Sequence, residues 1–178
     1  MLDLHPNELL TEHFSARLDE IEDYLKGRLP NRGHIIEAAF TAHRNEHHLL
    51  SVPVILAQVD GVCKELAGQY FFSRRAGKPQ TAAYVAQFTP GTFRSAMLSA
   101  FAELLPVTAS ESERGPNFDN LNRHMILHGE SLDYGSRING LKAISLLNYV
   151  ASMLQPDEET GEVTVPDSTG LSTEDDLA

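Results

Sequence analysis

The sequence predicts an all-α fold, an up-and-down bundle of about six helices. Hydrophobic residues make up 42% of the 178 residues but aromatic residues only 7%, a balance more typical of helical proteins than of β-sandwiches. Apolar residues recur at spacings of three and four in several segments, as on the inner face of a helix. No segment shows strand alternation, a hairpin signal or an internal repeat. A chain of this length forms one domain and buries a core without disulfides.

The first half of the chain contains three predicted helices. Residues 8–28 form the first, which stops near Gly27, and residues 35–48 form the second. Ser51 is the predicted N-cap of the third, because Pro53 then lies in the first turn, where its missing N–H costs nothing. This third helix is apolar on most of its circumference and is predicted to lie at the centre of the bundle. The apolar positions are Phe14, Leu18, Ile21, Leu25, Ile35, Ile36, Ala39, Phe40, Val54, Ile55, Leu56, Val59, Val62, Cys63 and Leu66.

Three polar residues interrupt the apolar surface of that central helix: Gln58, Asp60 and Lys64. Buried polar groups usually have partners. We therefore expect these side chains to form interhelical hydrogen bonds or ion pairs, and a role in supporting an active site is the alternative.

The second half is predicted to hold shorter helices. One covers residues 81–88, and the next is capped by Thr92. A flexible connection over 106–118 leads to a short helix that ends at His128. Ser136 caps the final helix, which has a wide apolar face.

The end of the chain differs from the rest in charge. We expect a helical domain over residues 1–155 and a disordered acidic tail over 156–178, since the tail carries many acids, no Lys or Arg and few apolar residues. The formal net charge of −11 argues against a protein with a broad basic nucleic-acid surface. Because the tail holds most of this charge, the domain can still present a local basic groove. The acids of the tail are Asp157, Glu158, Glu159, Glu162, Asp167, Glu174, Asp175 and Asp176.

Cys63 is the only cysteine, which excludes an intramolecular disulfide and a cysteine-based zinc site within one chain. The N-terminus lacks the basic region of a signal peptide, and no apolar run approaches the roughly 20 residues that span a bilayer. These features predict a soluble cytoplasmic protein with no membrane partner.

The strongest functional signal is Asn122-Arg123-His124-Met125-Ile126-Leu127-His128-Gly129. Metal-free RNA cleavage needs a base near a ribose 2′-OH, a cation on the phosphate and an acid at the leaving 5′-oxygen. Histidine titrates near neutrality, and arginine offers a fork of donors that stays charged. Gly129 lets a helix end directly after His128, so Arg123 and His128 can converge on one anion.

The same segment resembles the Arg-polar-x-x-x-His motif of the HEPN superfamily (higher eukaryotes and prokaryotes nucleotide-binding domains). The motif lies before the last helix of a small bundle, and the resemblance covers mainly residues 117–154. It implies that Arg123 stabilises the phosphate, that His128 performs acid/base chemistry and that His124 is the supporting polar residue.

The resemblance also implies an activity and partners. Family members are metal-independent endoribonucleases that leave 2′,3′-cyclic phosphate ends, and many are toxins or antiviral effectors. Their two motifs meet across a homodimer cleft, so the expected partners are RNA, a second copy of the chain and a regulatory partner such as an antitoxin. No cofactor or metal is expected. We expect single-stranded or loop RNA as the substrate, because an unpaired nucleotide can rotate its 2′-OH into line.

Other interpretations of these residues stay open. An arginine and a histidine at a helix end are ordinary structural features. On this interpretation the chain is a non-catalytic interaction or nucleotide-sensing module. The one concentrated basic patch, Arg74, Arg75 and Lys78, either contacts RNA phosphates or is solvated.

Residues 43–47 spell the inverted zinc-protease motif His-x-x-Glu-His. Zinc hydrolysis is not expected, because the chain offers no clear further ligand and lacks the size of such enzymes. His43, His47 and His48 are more consistent with a solvated or interhelical cluster, and lining the same cleft as His128 is the alternative.

Overall fold

The computed structural model describes residues 6–154, and within this range the protein is predominantly helical, which confirms the all-α prediction. The predicted acidic tail, 156–178, lies outside the described residues. In chain order the α-helices are α1 (Pro6–Ala16), α2 (Leu18–Arg28), α3 (Gly33–Arg44), α4 (His48–Ala67), α5 (Ala82–Val85), α6 (Phe93–Met97), α7 (Arg123–Leu127) and α8 (Arg137–Met153). Two-residue strands β1 (Arg74–Arg75) and β2 (Lys78–Pro79) form an antiparallel hairpin.

The first predicted helix is divided in two. Arg17 separates α1 from α2 with a non-helical φ of −114° and ψ of 10°, and its guanidinium pairs with Glu20 in the first turn of α2. The break lets α1 pack on α8 while α2 packs mainly on α3. The amphipathic spacing over 8–28 therefore predicted the apolar face correctly but not the change of direction.

Helix α4 is central, as predicted: it packs against α3 on one side and α8 on the other. The prediction of its start was wrong. The helix begins at His48, one turn before the expected cap, and Ser51 is fully buried within it. Its buried residues are His48, Ser51, Val52, Ile55, Leu56, Val59, Val62 and Cys63.

Pro53 therefore lies inside α4, where it cannot donate a hydrogen bond to the carbonyl of Leu49. The hydroxyl of Tyr134 donates to this carbonyl instead, at 3.1 Å. This bond satisfies a helix acceptor that Pro53 leaves without its usual donor. It also fastens the segment before α8 to the first turn of α4.

Helix α8 completes the core and starts where predicted. The hydroxyl of Ser136 accepts a hydrogen bond from the backbone N–H of Asn139 at 3.2 Å. The buried face of α8 carries Gly140, Leu141, Ala143, Ile144, Leu147, Val150 and Ala151.

Residues 68–136 form a long excursion of short elements between α4 and α8. The connection predicted as flexible contains two 3₁₀ turns, Pro106–Thr108 and Glu111–Glu113, and the second is closed by a capping box from Ser110. This excursion builds the surface that surrounds α7.

In the described part of the chain, no helix combines the length and apolar character that crossing a bilayer requires.

Candidate active site

Helix α7 carries the Arg to His motif and is fixed by Asn122. This residue is only 2% exposed. Its Oδ1 accepts from the N–H of Met125 at 3.0 Å, while its Nδ2 donates to the carbonyls of Pro106 and Ala109, each at 2.9 Å. One side chain thus caps the helix and joins it to the preceding excursion.

The two motif residues lie at opposite ends of this five-residue helix. Arg123 is its first residue, and His128 is its C-cap. Gly129 follows with a φ of +73°, a left-handed conformation that glycine adopts at little cost. The predicted helix end at His128 and the role of Gly129 are therefore present, whereas Arg123 lies one helix length away.

The guanidinium of Arg123 is positioned by two neighbours. Its Cζ lies 5.5 Å from the centre of the Phe72 ring, and its Nη2 is 4.0 Å from Oδ2 of Asp60. The other oxygen of Asp60 accepts from the N–H of Phe72 at 3.2 Å. Asp60 therefore contacts both the guanidinium of Arg123 and the backbone of Phe72.

Arg123 nevertheless keeps donors for a ligand. Its side chain is 31% exposed, and a 4.0 Å approach to Asp60 is longer than a charge-assisted hydrogen bond. Its Nε is buried and has no hydrogen-bond partner. A guanidinium that is placed but not saturated is suited to binding an anion.

His124 and His128 form a contacting pair. Their ring centres are 4.2 Å apart, and both residues are exposed. Nε2 of His124 lies 3.5 Å from Oε1 of Glu130, whose other oxygen pairs with Arg114 at 3.0 Å.

Arg123 and His124 line one cavity of about 240 Å³. Phe72 and Arg74 form another part of its wall, and the 107–111 segment completes it. His128 does not line this cavity; it reaches the site through its contact with His124. The structure therefore places the guanidinium of Arg123 and the imidazole of His124 at one cavity, with the imidazole of His128 in contact with that of His124.

The three residues of the predicted basic patch have different environments. The guanidinium of Arg74 makes structural contacts. Its Nη1 lies 2.6 and 2.7 Å from the two carboxylate oxygens of Glu113, and its Nη2 donates to the carbonyl of Thr108. Arg75 and Lys78 are exposed on the β1–β2 hairpin. Arg74 thus shapes the cavity wall, and the other two cations remain accessible.

The charge of Arg74 is balanced by Glu113. A hydrogen bond from the backbone of Ser110, together with Arg74, lowers the pKa of Glu113 to about 2. The carboxylate is therefore ionised at neutral pH, and Arg123 is the less compensated of the two arginines at the cavity.

The histidines of the inverted zinc motif lie elsewhere. His43 and His48 are buried between α3, α4 and α8 with ring centres 4.9 Å apart, while His47 is exposed as the N-cap of α4. Helix α3 ends at Arg44, so the motif does not lie on one helix. Among residues 6–154, no three His, Cys, Asp or Glu side chains are placed to hold a metal ion.

Gln58 of α4 has a partner outside the helix, as the sequence predicts, whereas the partner of Lys64 is the C-cap of the same helix. Gln58 accepts from Arg32 at 2.9 Å, and Lys64 donates to the carbonyl of Gly68 at 2.7 Å. Asp60 is the one that reaches the candidate site. From the sequence, support of an active site was only the alternative interpretation of these residues. The signal that could have identified Asp60 is a carboxylate on an otherwise apolar helix.

Comparison of the chain with protein-family models, with curated proteins and with solved structures gave no match. The function of the chain is therefore inferred from the geometry around α7 and from the resemblance of its motif.

Proposed function

We propose that the protein is a metal-independent endoribonuclease that cleaves single-stranded or loop RNA at the surface formed by α7. The observation that carries the proposal is the cavity shared by Arg123 and His124, with His128 packed on His124. These are the residue types that phosphoryl transfer needs in the absence of a metal.

In this mechanism Arg123 binds the scissile phosphate. The guanidinium of this partly exposed side chain donates to the non-bridging oxygens, and it binds more strongly as negative charge accumulates there in the transition state. Phe72 and Asp60 keep the guanidinium in place before the substrate arrives, so little reorganisation accompanies the reaction.

The two imidazoles transfer the protons. One neutral imidazole removes the proton from the ribose 2′-OH, and the 2′-oxygen forms a bond to phosphorus. The bond from phosphorus to the 5′-oxygen breaks, and a protonated imidazole delivers a proton to that oxygen. The products are a 2′,3′-cyclic phosphate and a 5′-OH. We assign the acid/base chemistry mainly to His128, and His124, beside the phosphate, supports it as the second proton carrier.

The site is proposed to be completed by a second copy of the chain. His128 is exposed and lies outside the cavity of its own protomer, so it is open to a phosphate held by a partner's Arg123. The exposed Arg75 and Lys78 supply further contacts to RNA phosphates. A toxin or antiviral role, and control by an antitoxin, belong to the same proposal.

A second candidate function, a non-catalytic nucleotide-binding or interaction module, is favoured by one observation. Arg123 packs on Phe72 and approaches Asp60, as a structural arginine also does. Such a module binds RNA or nucleotides without cutting them.

The proposal is tested by incubating the pure protein with several single-stranded RNAs in EDTA. We expect cleavage with 2′,3′-cyclic phosphate ends, and a loss of about 10²-fold or more for Arg123→Ala and His128→Ala. His34→Ala is the matched control, since His34 is exposed on α3, far from α7 in sequence.

Three outcomes separate the hypotheses. Equal inactivity of the wild type and both variants on every RNA excludes the enzyme. RNA binding without cleavage supports the non-catalytic module, and cleavage that disappears only with EDTA excludes the metal-free mechanism.

A further inference from the structure

A second cavity, of about 190 Å³, lies against a different face of α7. Asn122, Met125 and Ile126 line it, whereas the neighbouring Arg123 and His124 line the first cavity. One five-residue helix therefore separates the two spaces. We propose that this second cavity binds a guanine base of the substrate RNA, next to the phosphate held by Arg123. The identity of the substrate as RNA rests on the proposed function; the recognition of guanine does not.

Several hydrogen-bond acceptors line the second cavity, beside the amide of Asn120 and the hydroxyl of Ser131. Asp119 and Asp133 both line it and are exposed, and one oxygen of Asp133 is held by the hydroxyl of Ser131 at 3.3 Å. Asn139 also lines it, and its Nδ2 donates to the carbonyl of Tyr134 at 3.1 Å. This orientation leaves Oδ1 of Asn139 as a further acceptor.

The apolar part of the cavity offers flat and polarisable surfaces. Phe118 and Tyr134 contribute aromatic rings, and Met125 contributes its thioether. Tyr134 is fixed by the bond from its hydroxyl to the carbonyl of Leu49. Nucleobases that are splayed out of a single strand stack on such side chains.

The charge of the lining excludes a phosphate and selects a base with donors. No Lys or Arg is among the described residues that line this cavity, so two carboxylates there repel an anion. Guanine presents its N1–H and its 2-amino group side by side, and one carboxylate accepts from both. Adenine and cytosine present an amino group beside an acceptor nitrogen, and uracil presents an N–H between two carbonyls, so each places an acceptor against the carboxylate.

The position of α7 fits one nucleotide with its phosphate. A helix with its side chains is about 10–12 Å across, which is within the reach of a strand of one or two nucleotides. A nucleotide whose guanine lies in the second cavity can therefore extend its sugar-phosphate backbone past the end of α7 towards Arg123.

The test separates base recognition from catalysis. Binding of guanosine, which has no phosphate, is measured by calorimetry in EDTA and compared with that of adenosine, cytidine and uridine. We expect guanosine to bind at least about 10-fold more tightly than the others, and Asp133→Asn or Asp119→Asn to weaken its binding by about 10- to 100-fold. Asp23→Asn, an exposed carboxylate on α2, is the matched control and should leave binding unchanged.

The same variants are then tested on RNA. We expect cuts next to guanosines, and a fall in kcat/KM at those sites alone for the variant that weakens guanosine binding. Cleavage that is independent of sequence, with no preference for guanosine in binding, overturns the base pocket and leaves the ribonuclease intact. Guanosine binding without cleavage keeps the pocket and overturns the ribonuclease. Binding that survives both carboxylate substitutions, or that requires a divalent cation, overturns the assignment of these residues.

Discussion

At the residue scale, Arg123 acquires its position from a residue far away in the sequence. Asp60 on α4 contacts the guanidinium and also accepts from the N–H of Phe72, whose ring lies against the same guanidinium. Residues from α4, from α7 and from the segment that follows α4 therefore meet at the guanidinium of Arg123. In the proposed mechanism Asp60 is therefore a positioning residue rather than a catalytic one, since it contacts Arg123 and does not line the cavity.

Substitution Asp60→Asn keeps an oxygen for the N–H of Phe72 but removes the charge opposite Arg123. We expect kcat for RNA cleavage to fall about 10-fold with little change in KM, because misplacement of a group that acts in the transition state lowers kcat. Steady-state kinetics measures the effect. A rise in KM alone would assign Asp60 to substrate binding, and a loss of folded protein in urea titrations would assign it to stability.

His43 and His48 are a second feature at the residue scale. Burial, followed by the charges of His48, Arg137 and Arg44, lowers the pKa of His43 to about 4 from its ordinary 6.5. Burial also lowers the pKa of His48, against a weaker opposing effect of Glu46. The Nδ1 atoms of both rings are buried without hydrogen-bond partners, so the folded state favours two neutral imidazoles.

The folded protein should therefore lose stability in acid before its carboxylates titrate. A histidine with a lowered pKa binds fewer protons when folded than when unfolded, so its stabilising effect is complete above about pH 6.5 and is lost as the pH falls towards about 4. For one proton the slope is at most about 1.4 kcal/mol per pH unit. Urea unfolding at several pH values measures it, and His43→Gln should flatten the profile in this window.

The exposed His34 supplies the control for this experiment. His34→Ala should leave the pH profile of the wild type unchanged, since the residue is exposed on α3. A profile for His43→Gln that matches the wild type would show that another group governs the acid sensitivity.

At the scale of elements, α7 is too short to be stable by itself. Isolated helices of fewer than about 12 residues are marginal in water, and this one has five. Its geometry comes from Asn122 at one end and from the left-handed Gly129 at the other. The positions of the side chains in the candidate site therefore depend on the bonds from Asn122 to the carbonyls of Pro106 and Ala109.

The substitution Asn122→Ala should destabilise the protein by about 2–3 kcal/mol, since it removes a cap and leaves two carbonyls without their donor. Ser136→Ala is the matched comparison: it removes only a cap, from α8, and should cost about 1 kcal/mol. Free energies of unfolding in urea measure both. Equal losses would show that the bonds of Asn122 to Pro106 and Ala109 contribute nothing.

At the scale of the whole molecule, the proposed composite site makes activity depend on pairing. If the partner subunit supplies His128 to the phosphate held by Arg123, then two inactive variants complement each other. A mixture of Arg123→Ala and His128→Ala forms heterodimers that retain one arginine and one histidine in the shared cleft. We expect the mixture to regain part of the wild-type activity.

Light scattering and dilution give the independent measurement. Activity per molecule should fall as the protein is diluted through the dissociation of the dimer. A monomer that is fully active at all concentrations, or a mixture no more active than its components, would contradict the composite site.

The helices of the core were predictable because their information is local. The apolar spacings over 8–28, the Ser136 cap and the continuous apolar surface of α4 each follow from neighbouring residues. The cap and the apolar surface each correspond to one helix, and the spacings over 8–28 correspond to two, α1 and α2. The boundaries were less certain. The start of α4 was misplaced because the bond from Tyr134 to Leu49, which allows Pro53 inside the helix, joins residues distant in sequence.

Amphipathic periodicity, capping residues and side-chain chemistry are properties of short segments, so the amino-acid sequence was sufficient to predict an all-α protein and to single out Arg123, His124 and His128. Only the folded structure shows that Asp60 and Phe72 contact the guanidinium of Arg123, that Arg74 pairs with Glu113, and that His43 and His48 lie in the core. These relations join residues far apart in the chain. They are fixed by the packing of α4 and α8 and by the path of the excursion between them, which no local pattern records.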